Sequence, residues 1–175
     1  MKNANTLRSF VRACLVVVCA SGSLASPFVW RQASEKELRG VIPARAPVER
    51  ERIETEFRTA SGVTDGRGKF IAGVVMITAG YAAEGKYSHF FITRVPIQIE
   101  EIQLPAGEYV FGFKRVDDGL AVKFYEAASG KLIGEAKAIK DTRRGPVRSL
   151  LINPPVNGKA TIQIGRFLLE YRLSD

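Results

Sequence analysis

The sequence predicts an all-β protein, an antiparallel β-sandwich of about eight strands with an N-terminal helical arm. Three observations lead there. From Lys69 onward apolar residues recur with a period of two, turn signals interrupt them at roughly ten-residue intervals, and no strand alternates with a helical pattern. A small lipocalin-like barrel is the second architecture that this pattern fits. At 175 residues, 46% hydrophobic and 25% charged, the chain is long enough for one real core.

Residues 26–68 form the expected arm and 69–175 the sandwich domain. In the arm, Ser34-Glu35-Lys36-Glu37 matches a capping box, and Gly40 limits the helix that follows. Pro47 suits the first turn of a second helix over Pro47–Ala60, where Arg50/Glu54, Arg52/Glu56 and Glu54/Arg58 lie four apart. Ser61–Gly68 reads as a loop.

Within the domain, Phe70–Tyr81 is a continuous apolar run and Tyr87–Val95 a second strand. Pro96–Leu104 is the third, with Ile97, Ile99 and Ile102 inward. Glu108–Val116 alternates, placing Tyr109, Phe111 and Phe113 on one face, and Asp117-Asp118-Gly119 turns it into Leu120–Ala127. Lys131–Lys140 and Val147–Asn153 follow, and Asn157-Gly158 is a strong hairpin signal. The last strand spans Lys159–Leu173, with a phase slip at Gly165 that suggests a bulge. Small Gly134, Ala136 and Ala138 share a face, suited to seating the bulky aromatic face or to flooring a cavity.

The first 25 residues read as a secretory signal peptide. Lys2, Arg8 and Arg12 precede the apolar stretch Ala13–Ala20, and Ser23-Leu24-Ala25 offers small residues before a cut. Lipidation at Cys19 is the rival, weakened by Val18 where a small residue is wanted. Cleavage removes both cysteines and three of the 26 basic residues, leaving 23 against 18 acidic. The mature chain then has no disulfide, no thiolate and no transmembrane span, and is expected to be periplasmic or secreted.

Motif by motif, catalysis finds little support. Gly80 to Lys86 fits G-x-x-x-x-G-K, but Tyr87 stands where a hydroxyl must hold magnesium, and a β-rich segment follows instead of a helix. His89 is the one histidine, so any triad or zinc site must use it. Ser88 is its neighbour, and strand alternation should point the two apart; Ser149 is a more distant nucleophile candidate. Glu100-Glu101 and Asp117-Asp118 read as edge and turn carboxylates. No catalytic, metal or cofactor site is expected.

Charge says more. Residues 69–175 hold 15 basic and 11 acidic residues, and the stretch 131–148 alone carries the same excess of four. Lys137, Lys140, Arg143, Arg144 and Arg148 are therefore the candidate anion-facing patch, suited to acidic polysaccharide or lipid head groups rather than nucleic acid in an exported protein. Cationic residues also protect a sheet edge from pairing, which is the plainer use of the same side chains.

Leu104-Pro-Ala-Gly-Glu-Tyr109 resembles the turn-and-strand of secreted bacterial β-sandwich modules such as transthyretin-like and carboxypeptidase-regulatory-like domains. The resemblance implies a non-catalytic accessory module and assigns no functional residue. The expected role is thus a binding or assembly module of the bacterial envelope, in contact with anionic polymers or an envelope protein. A carrier of a small apolar ligand is the alternative, and a hydrolase built on His89 a weaker third. Intact-mass measurement of the secreted protein should show loss of about 25 residues; a full-length cytoplasmic chain is the opposite result.

Overall fold

The computed structural model describes residues 29–78 and 80–174, so the signal-peptide reading of Met1–Ala25 lies outside the described residues. Nearly everything described is antiparallel β. The chain runs β1 (Arg31–Gln32), α1 (Glu35–Arg39), β2 (Arg45–Val48), β3 (Glu51–Thr64), β4 (Phe70–Met76), β5 (His89–Thr93), β6 (Ile97–Ile99) and β7 (Ile102–Leu104). It continues through β8 (Gly107–Val116), β9 (Gly119–Glu126), β10 (Leu132–Lys140), β11 (Arg148–Ile152), β12 (Lys159–Gly165) and β13 (Phe167–Leu173). Hydrogen-bonded neighbours follow the path β1-β3-β4-β5-β8-β9-β10-β13-β12-β11, with β2 on β3 and the β6–β7 hairpin on β13.

This is one curled open sheet rather than two stacked sheets of eight strands. It curls because its inner face carries large rings that need covering on every side. Phe91, Phe111 and Phe124 are fully buried on β5, β8 and β9, with ring centroids 5.2–6.3 Å apart. Ala136 and Ala138 join the same cluster, so the small face of β10 serves packing. The far end of the path, β11, returns to pack against β3 and β4. No backbone ladder joins β11 to β3; side chains bridge them instead. Ser61 Oγ accepts from the Ile152 N–H at 2.9 Å, and Gln32 Nε2 donates to the Ile152 carbonyl at 3.1 Å.

The arm is not helical. Only α1 forms, capped by Ser34 and Glu37 as the capping box requires, with Arg31 held on the Glu37 carboxylate. The segment read as a second helix is β2 and β3, paired Arg45↔Glu54 through Val48↔Glu51, and Ser61–Thr64 continue β3 instead of forming a loop. Burial explains it. Ile53 and Thr55 are buried while Arg52 and Glu54 are exposed, a period of two. The strand bends between Glu56 and Ser61, where the Thr59 hydroxyl donates to the Glu56 carbonyl and accepts from Val75 N–H. The bend lets β2 and the start of β3 cover a second core on the outer face, formed by Val74, Phe90, Val110 and Tyr125 with Ala46, Val48 and Ile53.

Two turns and one strand end differ from expectation, and four connections agree. Pro96–Leu104 is two strands folded at Glu100-Glu101, with Glu100 at φ 49°. Gly165 is not a bulge: Ile164 pairs with Phe167, so Gly165-Arg166 is a two-residue hairpin turn. The apolar run from Phe70 ends as a strand at Met76. Asp117-Asp118 and Asn157-Gly158 turn as predicted, the latter with both residues at positive φ. Gly80 to Lys86 is the connection between β4 and β5, and no helix follows it. Near the start of β8, the Tyr109 hydroxyl donates to the Pro105 carbonyl at 2.7 Å, which closes the Leu104–Tyr109 turn.

The sheet is tight where β8 passes that connection. A Cβ on Gly112 would fall onto the Lys86 carbonyl and within 2.6 Å of the Gly85 carbonyl oxygen, and backbone cannot rotate away. Gly112→Ala should therefore cost about 1–3 kcal/mol in urea unfolding. Gly145→Ala, where a Cβ meets nothing within 4 Å, should cost none of this; equal midpoints for the two variants would refute the reading.

Candidate functional site

Chain topology creates an exposed rim at one end of the sheet. β10 and β11 are consecutive in sequence, yet β13 and β12 lie between them. The connection must therefore cross three strand spacings, about 14 Å, over the end of the β12–β13 hairpin. Every residue from Thr142 to Ser149 is exposed along that crossing. Register fixes what it meets: Lys140 pairs with Phe167, Arg148 with Gly165, and Asp141 N–H donates to the Arg166 carbonyl at 2.8 Å.

Of the five residues proposed from sequence, the fold brings Lys140, Arg144 and Arg148 to this rim without a carboxylate partner among the described residues. The other two are engaged. Arg143 makes a two-pronged contact with Asp141, Nε to Oδ1 at 2.9 Å and Nη2 to Oδ2 at 3.0 Å. That contact, chiefly its hydrogen bond, holds the Asp141 carboxyl below its ordinary range. Lys137 Nζ lies 2.8 Å from Asp118 Oδ1, and the hydrogen bond raises the lysine above its ordinary value.

Two cations escaped the sequence reading. Arg166 is exposed on the hairpin tip, and the phase slip at Gly165 was its signal once taken as a turn. Arg115, near the end of β8, sets its guanidinium 5.2 Å from the Phe167 ring centroid. Lys140, Arg144, Arg148, Arg166 and Arg115 thus share one end of the sheet, with no ion pair among the described residues. Asp117 and Asp118 are the carboxylates of the neighbouring β8–β9 turn, and Asp118 is held by Lys137.

His89 is a buried strand residue, stacked on Phe111 with centroids 4.5 Å apart. The expectation that Ser88 must point away is wrong. Ser88 precedes β5, so the alternation of the strand does not bind it, and its Oγ lies 2.8 Å from His89 Nδ1 while also reaching the Phe111 carbonyl. Nε2 is buried with no hydrogen-bond partner among the described residues. The Ser149 main chain is close enough to favour the charged form slightly but does not bond to it; the Ser149 residue itself is exposed. Among the described residues no group of three or more His, Cys, Asp or Glu is placed to hold a metal ion, and no helix is long and apolar enough to cross a membrane.

A cleft of about 410 Å³ opens where β3 and β11 fail to pair, lined by Arg58, Thr59, Arg148 and Ser149 among others. It lies on the seam, outside the packed rings of the interior. The class these features define is a curled antiparallel all-β protein with a filled interior and a positive rim. No family model matches the chain, and no curated protein or solved structure matches it.

Burial pushes the His89 imidazole down from 6.5 to about 4, so the folded protein keeps it neutral. Since the folded value lies below the unfolded one, the unfolded chain takes up the extra proton. Stability from this group is full above pH 6.5 and lost as pH falls toward about 4. The loss amounts to about 3 kcal/mol at most. Urea unfolding between pH 7 and 4 should show that fall, and His89→Gln should flatten it. An unchanged slope in the variant would assign the effect to other groups.

Proposed function

We propose that this chain is an exported, non-catalytic binding or assembly module of the bacterial envelope, and that its positive rim takes anionic envelope material. The observation that carries this is the gathering of Lys140, Arg144, Arg148, Arg166 and Arg115 at one end without carboxylate partners among the described residues. Cations kept only to protect a sheet edge would line the free side of a strand. Here Arg144 and Arg166 stand on the crossing loop and a hairpin tip, and Lys140, Arg148 and Arg115 at strand ends, so the five gather at one end of the sheet rather than along one strand. The filled interior supports the module over a carrier, because Phe91, Phe111 and Phe124 occupy the volume an apolar ligand would need. His89 supports no hydrolase: its bonded neighbour is Ser88 on Nδ1, and rings cover its face.

Polygalacturonate, a regular carboxylate polymer, tests the rim directly. Arg144→Glu/Arg148→Glu should weaken binding about tenfold or more, since each reversal removes attraction and adds repulsion. The melting temperature should barely move, because both side chains are exposed and unpaired. Arg143→Gln should cost less, its guanidinium being committed to Asp141. At about 0.5 M salt the Debye length falls to about 4 Å and the complex should dissociate. Affinity that ignores both reversal and salt would leave the rim without this role.

A further inference from the structure

The positive rim also carries apolar side chains. Val116, Ile139 and Val147 are 37%, 55% and 54% exposed. Register puts the first two on either side of Gly119, on β8 and β10, and Ile139 lies opposite Leu168 beside the β12–β13 turn. Val147 belongs to the crossing loop and directly precedes Arg148. Single exposed valines are ordinary on a protein surface. Apolar tips set among unpaired cations at one end are a different arrangement, because a soluble polyanion offers them nothing to enter.

We infer that this rim docks on the surface of an anionic lipid bilayer, with Val147 entering the interfacial region and the arginines holding lipid phosphates. The inference rests on the positive rim proposed above and names its partner. Charge complementarity selects the anionic surface. Within the cationic set, four of the five named side chains are arginines, whose planar fork binds phosphate oxygens in pairs and sheds water more readily than an ammonium. Shape agrees with this. The crossing loop spans the end of the sheet with every residue from Thr142 to Ser149 exposed, and Val147 and Arg148, at its β11 end, also border the cleft beside β3. An interfacial site of this kind needs both terms, apolar entry and charge, and loses affinity when either goes.

The test compares vesicles of phosphatidylcholine alone, vesicles with about 30% phosphatidylglycerol, and soluble polygalacturonate. Binding to the anionic vesicles should exceed that to neutral ones and fall about tenfold or more in Val147→Asp. The same variant should bind polygalacturonate within about twofold of the parent, since Val147 has no part in charge attraction. In Val147→Trp, emission from the new indole should shift to the blue on adding anionic vesicles, measured against the parent that holds Trp30. Vesicle binding unaffected by Val147→Asp, or an indole that stays in water, overturns the bilayer inference. Retained polygalacturonate binding without vesicle binding overturns this inference alone, and loss of both overturns the positive-rim reading with it.

Discussion

Phe91, Phe111 and Phe124 stand on neighbouring strands with their rings in contact, and no flat sheet can bury them. Covering one ring face against its neighbours leaves the other face bare, so the sheet must come round. The small residues on β10 admit the curl, and β13, β12 and β11 carry it back toward β3. Where β11 meets β3 no ladder forms, and Ser61 and Gln32 satisfy Ile152 in its place. An orphaned backbone group at that seam would cost about 1–3 kcal/mol, so these two polar side chains, Ser61 buried and Gln32 exposed, carry weight beyond their size.

The same constraint accounts for the arm. Strands β4, β5 and β8 face the rings on one side and carry Val74, Phe90 and Val110 on the other, so both faces need cover. This was legible in part: Phe70–Tyr81 reads as a continuous apolar run, the mark of a strand buried on two sides, and its first seven residues are that strand. What supplied the cover was not legible from charge spacing. Arg50, Arg52, Glu54, Glu56 and Arg58 satisfy a helical four-residue rule, yet residues two and four apart also share one face of a strand. Ile53 and Phe57 fit both periods. Thr55, between them and buried with its hydroxyl on the Pro43 and Ala44 carbonyls, decides for the strand.

The candidate site was half visible for a related reason. A charge count locates an excess but cannot see which cations find partners in space. Arg143 lies two residues from Asp141, near enough for the pair to be anticipated from local geometry. The Lys137–Asp118 pair needs the β9–β10 register, which aligns Lys137 with Ala121. Arg115 was hidden because it meets Phe167 only through the β8-β9-β10-β13 order. Ser88 shows the limit of alternation, which governs residues within a ladder and not the one that enters it.

Strand order, finally, explains why charge collects at one end rather than along an edge. A direct β10–β11 hairpin would have turned in two residues and brought its flanking cations onto strands, where cross-strand carboxylates can meet them. Inserting β13 and β12 between the two stretches the connection across the end of the sheet. A backbone on that path has no layer above it and must remain solvated, so its side chains remain solvated too. Among the described residues, Asp141 is the one carboxylate inside the 131–148 stretch that reaches the crossing, and it is spent on Arg143. The large rings are packed together inside, and the cations without partners among the described residues stand at the rim.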